Sequence, residues 1–174
     1  MSVTNCILNS GISLGCKDNL GGIKEAYIAT FIGDEVYAID AAGMITSLTN
    51  TQTFYKFEQR NEQGEFTQQG NHSTENGSNF WDQIVSLIFS KNSVDDRNVL
   101  KLLAQSALLV IVRDQNNSLW VVGKENGADL TASTVSAGKA YGDLNGTTIS
   151  ITGKEKYPAN LIDEAAFAVL PGIA

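Results

Sequence analysis

ALLVIVRDQNNSLWVV, residues 107–122, is the stretch of sequence that most directly indicates the fold. Ala107 to Val112 is a continuous apolar run of strand length, and Leu119 to Val122 is a second one. The polar residues Asp114 to Asn117 lie between them and are typical of a tight turn, because Asn and Asp side chains bond to their own backbone there. The stretch therefore predicts an antiparallel β-hairpin.

A helix is predicted just before this hairpin. Ser93 is followed three residues later by Asp96, which is the spacing of a capping box, and Asp95 adds a second acidic residue where the helix dipole favours negative charge. We predict that the helix covers about residues 94–105 and packs on a sheet through one apolar face. The residues of that face are Val99, Leu102 and Leu103.

Strand patterns occupy much of the remaining chain. Apolar and β-branched residues alternate from Ile23 onward, and Gly33-Asp34 is typical of a tight turn into a second strand, so we predict a hairpin there. Further strands are predicted at Ile84 to Phe89, Leu130 to Val135 and Thr147 to Thr152, the last two set off by glycine-rich turns.

The segment from Asn50 to Asn79 has a different composition, with ten Asn or Gln residues in thirty. We predict an extended hairpin over residues 51–67, followed by a loop over residues 70–79. Because this segment cannot build a core of its own, we expect the hairpin to lie in solvent or against a neighbouring subunit. Its large apolar side chains are Phe54, Tyr55, Phe57 and Phe66.

The 174 residues suit a single domain. We divide the chain into an N-terminal arm at residues 1–22, a β domain at residues 23–158 and a C-terminal arm at residues 159–174, of which the last can also hold a short helix. The predicted fold class is mainly β, a β-sandwich or barrel-forming domain with one flanking α-helix at about residues 94–105.

Charge and composition exclude several classes of function. The net charge of −7 argues against ordinary nucleic-acid binding, which depends on Lys and Arg to neutralise phosphates. No apolar run is long enough to predict a transmembrane helix, and Met1 to Ser10 does not resemble a secretory signal. Cys6 and Cys16 are interpreted as two free thiols, buried or half-buried, because two cysteines do not make a disulfide scaffold or a zinc site.

The motifs that carry catalysis are missing from the sequence. His72 is the only histidine, and no nucleophile signature or phosphate-binding glycine loop accompanies it. Asp143 to Gly146 starts like a calcium loop but lacks the later glutamate, so we interpret it as a turn. The adjacent acidic pairs lie at predicted turns and helix starts. We therefore expect no enzyme activity, no cofactor and no metal.

A resemblance gives a more specific expectation. From Val85 to Pro158 the chain resembles bacteriophage tail tube, or major tail, proteins. The resemblance lies in the strand at Ile84 to Phe89, the helix after it, and the stretches LLVIVRDQNNSLWVVGKENGADLT (residues 108–131) and SAGKAYGDLNGTTISITGKEKYPA (residues 136–159). Asn117 stands where we expect a turn glycine of this pattern.

The resemblance implies a virion structural protein that is assembled in the host cytoplasm. Such subunits form hexameric rings whose inner strands make a continuous barrel, and the stacked rings form the conduit through which DNA passes without specific binding. The implied partners are other copies of the chain, the tape measure, tail terminator and baseplate or tail-tip proteins, and a sheath protein if the tail is contractile. The candidate lumen-facing acidic residues are Glu58, Glu62 and Glu65, and the candidate inter-subunit hairpin is the one at residues 51–67.

Two alternatives remain at this point. One is another phage head or tail component, such as a tail terminator, a head-completion protein or a decoration protein, which would share the β-rich composition. The other is a carbohydrate-binding β-sandwich that uses Trp81 or Trp120 as a sugar platform.

Overall fold

The computed structural model describes Leu8 and residues 10–173. Within this part the chain is mainly β, which confirms the predicted fold class, and a second, shorter helix is present near the C-terminus. The elements are β1 (Ile23–Thr30), β2 (Val36–Ile39), β3 (Ile45–Thr49), β4 (Tyr55–Glu58), β5 (Glu65–Ser73), β6 (Ser78–Ser90), α1 (Val94–Leu103), β7 (Leu108–Asp114), β8 (Leu119–Val122), β9 (Ala128–Ser136), β10 (Gly146–Glu155), β11 (Asn160–Leu161) and α2 (Glu164–Ala168).

Nine of these strands form one hydrogen-bonded sheet that bends into two halves. The halves meet where Leu108 of β7 pairs with Ala128 of β9, and this is the only residue pair that joins β7 to β9. We call the half with the order β4-β1-β7-β8-β11 sheet I and the half with the order β9-β10-β6-β5 sheet II. All the strand pairs within both halves are antiparallel.

The strand β7 is buried on both faces and therefore belongs to two hydrophobic cores. Its even-numbered residues, such as Val110, pack between sheets I and II with Val85 and Ile149. Its odd-numbered residues, such as Ile111, pack on the opposite face of sheet I. Because side chains alternate along a strand, a continuous apolar run supplies both faces at once.

A third layer covers the outer face of sheet I. It consists of the β2–β3 hairpin, the helix α2 and the last turn of the chain. Phe167 of α2 is 2% exposed and meets the ring of Tyr27 edge to face at a centroid distance of 4.9 Å. The backbone N–H of Phe54 donates to the carbonyl of Pro171 at 2.8 Å, which fixes the chain end to the segment before β4.

Several predicted local structures are confirmed. β7 and β8 form the predicted hairpin, and Asn117 in its turn has a φ of 63°, the left-handed conformation for which a glycine was expected and which Asn tolerates. Ser93 caps α1 in a reciprocal capping box with Asp96. The strands predicted near Ile84, Leu130 and Thr147 are present in β6, β9 and β10.

The predicted pairing of the first two strands is wrong. β1 and β2 do not form a hairpin, because β1 pairs with β4 and β7 while β2 pairs with β3. The extended hairpin at residues 51–67 is also wrong, since β4 pairs with β1 in sheet I and β5 pairs with β6 in sheet II. The predicted loop at residues 70–79 instead contains the end of β5, a short turn and the start of β6.

The C-terminal segment is part of the folded domain and is not an arm. Ala166, Phe167 and Leu170 are buried in the outer core, because the exposed face of sheet I needs an apolar cover. By contrast, every described residue up to Gly22 is exposed, as expected of an N-terminal arm. Cys16 lies in this arm with an exposed free thiol, so the prediction of a buried or half-buried thiol is wrong there, and Cys6 lies outside the described residues.

The helix α1 presents a different face to the sheets from the one predicted. Leu103 is 8% exposed and packs in the core together with Leu100, but Leu102 is 63% exposed and Val99 is 39% exposed. The predicted stripe was therefore correct only for Leu103. The helix lies at the margin of the sandwich, so a narrow edge of it is in contact and the remainder faces solvent.

Alanine substitutions on α1 test this orientation. Leu103→Ala should reduce the free energy of unfolding by about 2–4 kcal/mol, because it leaves a cavity in the inner core. Leu102→Ala, the matched control on the next residue, should change it by less than about 0.5 kcal/mol. Chemical denaturation measures both, and equal losses would contradict the orientation described.

The C-terminal layer makes a second prediction about stability. Phe167→Ala should cost about 3–5 kcal/mol, since a fully buried aromatic ring is removed from the outer core. Val169→Ala is the control two residues away, and its 77% exposure predicts an effect within about 0.5 kcal/mol. Thermal and urea unfolding measure these changes, and a neutral Phe167→Ala would indicate that the segment is an arm after all.

Candidate assembly surface

Sheet II has two free edges of similar length. β5 and β9 are the outermost strands of this half, and each is nine residues long. β5 pairs only with β6, and β9 pairs with β10 and, apart from that, only through Ala128, so no described strand covers the outer side of β5 or of residues 129–136. Each edge therefore presents a row of backbone N–H and C=O groups.

Neither edge carries lysine or proline, two of the residues that most often prevent strands from pairing between molecules. Monomeric proteins protect such edges with lysine, proline or very short strands. The sequences of β5, EFTQQGNHS, and of β9, ADLTASTVS, contain no lysine, arginine or proline. β9 contains a β-bulge at Thr131, because Ser150 and Ile151 of β10 pair with Ala132 and Leu130, and this bulge bends β9 and increases its twist. The edges are thus open, and the sheet is curved.

The direction of the two edge strands permits pairing between copies. Adjacent strands alternate in direction across the four strands of sheet II, so β5 and β9 run in opposite directions. When β5 of one copy lies beside β9 of an equivalent copy rotated about a common axis, the new pair is antiparallel like all the others. The same contact repeated around the axis is heterologous, and it closes into a ring if the rotation allows.

The two edges are offset along the sheet. The ends of β5 are level with Ser86 and Ser78 of β6. The ends of β9 are level, through Gly146 and Gly153 of β10, with Ser90 and Gln83 of β6. The offset is thus 90 − 86 = 4 residues at one end and 83 − 78 = 5 at the other. Full pairing of such staggered edges requires strands that are tilted relative to the ring axis, as in closed barrels.

The outer face of sheet II, which we call the open face, carries mostly polar side chains, and its large apolar side chains are Phe80, Ile84 and Ile88 of β6. Cross-strand partners share a face, so Thr67, Ile84 and Thr152 lie side by side, as do Glu65, Ser86 and Ser150 in the next row. These side chains are half-buried or exposed. The charged residues of the open face are Glu65, Asp82, Asp129 and Lys154.

Asp82 and Lys154 neutralise each other, since their side chains form an ion pair at 3.2 Å. The open face therefore keeps two unpaired carboxylates, Glu65 and Asp129, and its one cation is already engaged. A phosphate group finds no free Lys or Arg on this face of the described structure.

The three predicted lumen-facing acidic residues are not brought together. Glu65 lies on the open face, whereas Glu58 belongs to β4 in sheet I, where it forms an ion pair with Lys56 at 3.2 Å. Glu62 lies in the turn between β4 and β5 with a φ of 65°. Of the three residues, only Glu65 therefore lies on the open face of sheet II.

The aromatic residues predicted for an inter-subunit hairpin belong mostly to the cores. Phe54 is 1% exposed in the outer core, and Phe57 and Phe66 pack against the inner core. β4 and β5 lie in different halves of the sheet, so Phe57 and Phe66 point into the space between the halves. Tyr55 alone is exposed, at 67%.

A charged cluster on the outer side of sheet I has a structural role. Arg113 binds the carboxylate of Glu164 through both of its terminal nitrogens, at 2.8 and 3.1 Å, and so attaches α2 to β7. Burial by itself raises the pKa of Glu25, but hydrogen bonds from Lys56 and Tyr27 outweigh it and hold that pKa below its usual range. Burial and the hydrogen bond to Glu25 raise the pKa of Tyr27 to about 12.

The single buried carboxylate of the described residues also supports the fold. Glu155 is 4% exposed, and its Oε1 accepts the backbone N–H groups of Glu125 and Asn126 at 2.9 and 3.0 Å. It thereby holds the turn between β8 and β9. Sequence reasoning missed this role, because Glu155 lies in an ordinary polar stretch and its partners are distant in the chain.

His72 and the tryptophans have ordinary packing partners. The Nδ1 of His72 lies 2.7 Å from the Oδ1 of Asn79, and its ring contacts Trp81 at 5.7 Å. Trp120 packs against Phe66 at 5.8 Å and donates its Nε1–H to Asp114. Both tryptophans are half-buried. Across residues 10–173 and Leu8 no group of three His, Cys, Asp or Glu side chains is placed to hold a metal ion.

The free edges of sheet II were not predicted from the sequence. β5 was divided between a hairpin and a loop because its glycine and amide residues resemble a turn, and its partner β6 was predicted only in part. Two features of the β5 sequence were available as signals. Phe66, Gln68 and Gly70 occupy alternate positions, as the residues of one face of a strand do, and the segment contains no lysine or proline.

Comparison with protein-family models, with curated proteins and with solved structures gave no match to this chain. Among the described residues, none of the helices is both long enough and apolar enough to cross a membrane.

Proposed function

We propose that this chain is a self-assembling virion structural protein, the tail tube subunit of a bacteriophage, and that it has no catalytic role. The observation that carries the proposal is the pair of free, similarly long and oppositely directed edges on sheet II. Unpaired edges promote aggregation of a monomer. In a closed ring every such edge is paired with the next subunit.

In the proposed ring, β5 of each subunit pairs with β9 of the next, so that sheet II of every copy contributes four strands to one continuous barrel. The offset of the edges sets the tilt of these strands. Six copies per ring and the stacking of rings into a tube follow from the resemblance to tail tube proteins. In this arrangement the open face lines the lumen.

A lumen lined by the open face suits the passage of DNA. Hydroxyl and amide side chains around Phe80, Ile84 and Ile88 keep most of the wall hydrated, and Glu65 and Asp129 repel phosphates at short range. This repulsion acts over about 8–10 Å at physiological salt, so it depends on the residues that face the lumen and only weakly on the net charge of −7. The proposed partners are other copies of the chain, the tape measure, tail terminator and tail-tip or baseplate proteins, and the sheath if the tail contracts.

Proline substitutions in β9 test the edge contact. Consecutive residues of an edge strand direct their N–H groups to opposite sides, so one of Ser133 and Thr134 donates toward β10 and the other donates outward. Proline at the outward position should leave the melting temperature of the subunit within a few degrees and should abolish rings and tubes, because a donor of the free edge is lost. Thermal unfolding and negative-stain microscopy measure the two effects.

The matched controls are Ser133→Ala and Thr134→Ala, which keep both backbone donors and should assemble normally. Proline at the inward position should destabilise the subunit itself. Normal tubes from both proline variants would contradict the edge-to-edge contact.

A charge reversal tests which surface faces the DNA. Glu65→Lys on the open face should make assembled particles retain duplex DNA at low salt, and retention should fall steeply as salt is added, since Lys–phosphate contacts release counterions. Glu62→Lys changes the net charge by the same amount but lies in a turn away from the open face, so it should have a much smaller effect. Filter retention of labelled DNA measures both, and equal retention would refute the assignment of the lumen.

A further inference from the structure

The backbone groups of β6 show which residues of sheet II face each edge. The N–H of Ile88 donates to the side chain of Gln59, and the N–H of Lys91 donates to Asn145, which directly precedes β10. Even-numbered residues of β6 therefore direct their N–H and C=O groups toward β5, and odd-numbered residues direct theirs toward β10. Opposite residues of an antiparallel pair either exchange hydrogen bonds or both point away from each other. The groups on the free edges consequently belong to Phe66, Gln68 and Gly70 of β5 and to Ser133 and Val135 of β9.

This alternation limits how β5 of one copy can pair with β9 of the next. Hydrogen bonds form only where outward-facing residues lie opposite each other, so the allowed registers differ by steps of two residues. All of these registers keep the faces of the sheet matched. Phe66 and Val135, for example, both lie on the inner face of sheet II, because their cross-strand partners Val85 and Thr147 are buried there.

In one of these registers the two edges pair along nearly their whole length. Glu65, the first residue of β5, then lies opposite Ser136, the last residue of β9, and we call this the flush register. It places Val135 opposite Phe66. In the registers two residues away, Val135 would lie opposite a glycine or a glutamine instead.

The flush register gives an exposed apolar side chain a partner. Of the large apolar side chains on the two described edge strands, Val135 alone is exposed, at 61%. Phe66 is half-buried and packs at the margin of the inner core. A β-branched residue opposite an aromatic residue is a favourable cross-strand pair. This register therefore covers the apolar side chain that an isolated subunit leaves in solvent on these edges.

The flush register also determines the tilt of the strands. At the end where β5 begins, the edges are offset by four residues, so each copy is shifted by that length relative to the previous one. Four residues measure ~14 Å along a strand, and the four strands of a copy measure ~19 Å across the sheet. The ratio corresponds to a tilt of ~35° whatever the number of copies, and closed barrels typically have tilts of about 35–45°. The registers two residues away correspond to tilts of ~20° and ~47°.

The offset has the sense that a closed barrel requires. When sheet II is viewed from its open face with β6 pointing upward, the even-numbered side chains of β6 face the viewer, and the N–H groups of these L-residues point to the right. β5 therefore lies to the right of β6, and it also lies lower than β9. Flush pairing then makes the strands lean to the right when the ring is seen from outside, which agrees with the right-handed twist of β-strands.

We infer that β5 and β9 of neighbouring copies pair in the flush register, and that Val135 of one copy packs against Phe66 of the next. The apolar pair selects this register from the allowed ones, and the offset of the edges gives the barrel a right-handed tilt of about 35°. The inference rests on the proposed ring and adds the contact that sets its geometry.

Disulfide crosslinking tests the register. Thr67 and Thr134 are exposed and lie opposite each other in the flush register, at a non-hydrogen-bonded position where the Cα atoms are about 4.5 Å apart. That distance permits a disulfide. Within one chain β5 and β9 are three strand spacings apart, roughly 14 Å, so a disulfide between these positions must join two copies.

The double variant Thr67→Cys with Thr134→Cys is made in the full chain, with the two native cysteines replaced by serine. It is assembled under reducing conditions and then oxidised. Non-reducing gels should show a ladder of crosslinked species that ends at the closed ring. The controls replace Thr134→Cys by Ala132→Cys or Ser136→Cys, which lie opposite position 67 in the registers two residues away. Their crosslink yield should be several-fold lower, and an equal or higher yield at either control would overturn the flush register.

A polar substitution tests the apolar contact. Val135→Ser should raise the protein concentration needed for ring formation several-fold, while the melting temperature of the subunit stays within a few degrees, because Val135 is exposed there. Val169→Ser, which changes a similarly exposed valine outside sheet II, is the control and should assemble like the unmodified chain. Analytical ultracentrifugation over a concentration series measures assembly. Unchanged assembly of Val135→Ser would overturn the contact between Val135 and Phe66.

The outcomes separate this inference from the proposed function. Rings or tubes that crosslink best through position 132 or 136, or through none of the three positions, would refute the flush register and leave the tail tube proposal standing. A chain that forms neither rings nor crosslinks at high concentration would refute both. Selective crosslinking through position 134 supports the register.

Discussion

The burial of β7 on both faces is the constraint on which the remainder of the structure depends. The five apolar residues Leu108 to Val112 of β7 need a cover on each side, so sheet I must be the middle of three layers. Sheet II covers one face, and the β2–β3 hairpin with α2 covers the other. Because β7 also joins sheet II through Leu108 and Ala128, the bend between the two halves starts from the same strand.

This arrangement explains why sheet II has an open face and open edges. Its inner face is required for the core with sheet I, and the elements available to form a third layer are used on the far side of sheet I. The four strands of sheet II are consequently held firmly from one side and remain accessible on the other face and at both edges. A surface of this kind is suited to pairing between copies, which is the basis of the proposed function.

The sequence predicted local structure better than pairing. The β7–β8 hairpin and the capping box at Ser93 depend on residues close in the chain, and both were predicted correctly. The partners of β1 are β4 and β7, and no local pattern distinguishes them from β2, which follows β1 directly. The predicted orientation of α1 was wrong for a related reason. Lys91 and Asn92, which precede the helix, form hydrogen bonds with the distant residue Asn145, and these bonds set how the helix enters the sandwich.

The candidate surface was predicted only in outline. Self-assembly was expected from the resemblance, but the segment chosen, residues 51–67, supplies core residues, and of the three acidic residues only Glu65 lies on the open face. Composition indicated that the Asn- and Gln-rich region could not form a core by itself. It could not indicate that β5 would gain its apolar support from β6 and from Trp120 in the opposite half of the sheet.

The most direct test of the central claim, that free edges of sheet II join copies of this chain into closed rings, is cryo-electron microscopy of the purified protein at increasing concentration. The account predicts rings and stacked tubes whose inner wall is a continuous barrel with four strands from each copy, with β5 beside β9 of the next subunit. Particles that remain monomeric at high concentration, or rings joined through surfaces other than these two strands, would contradict it.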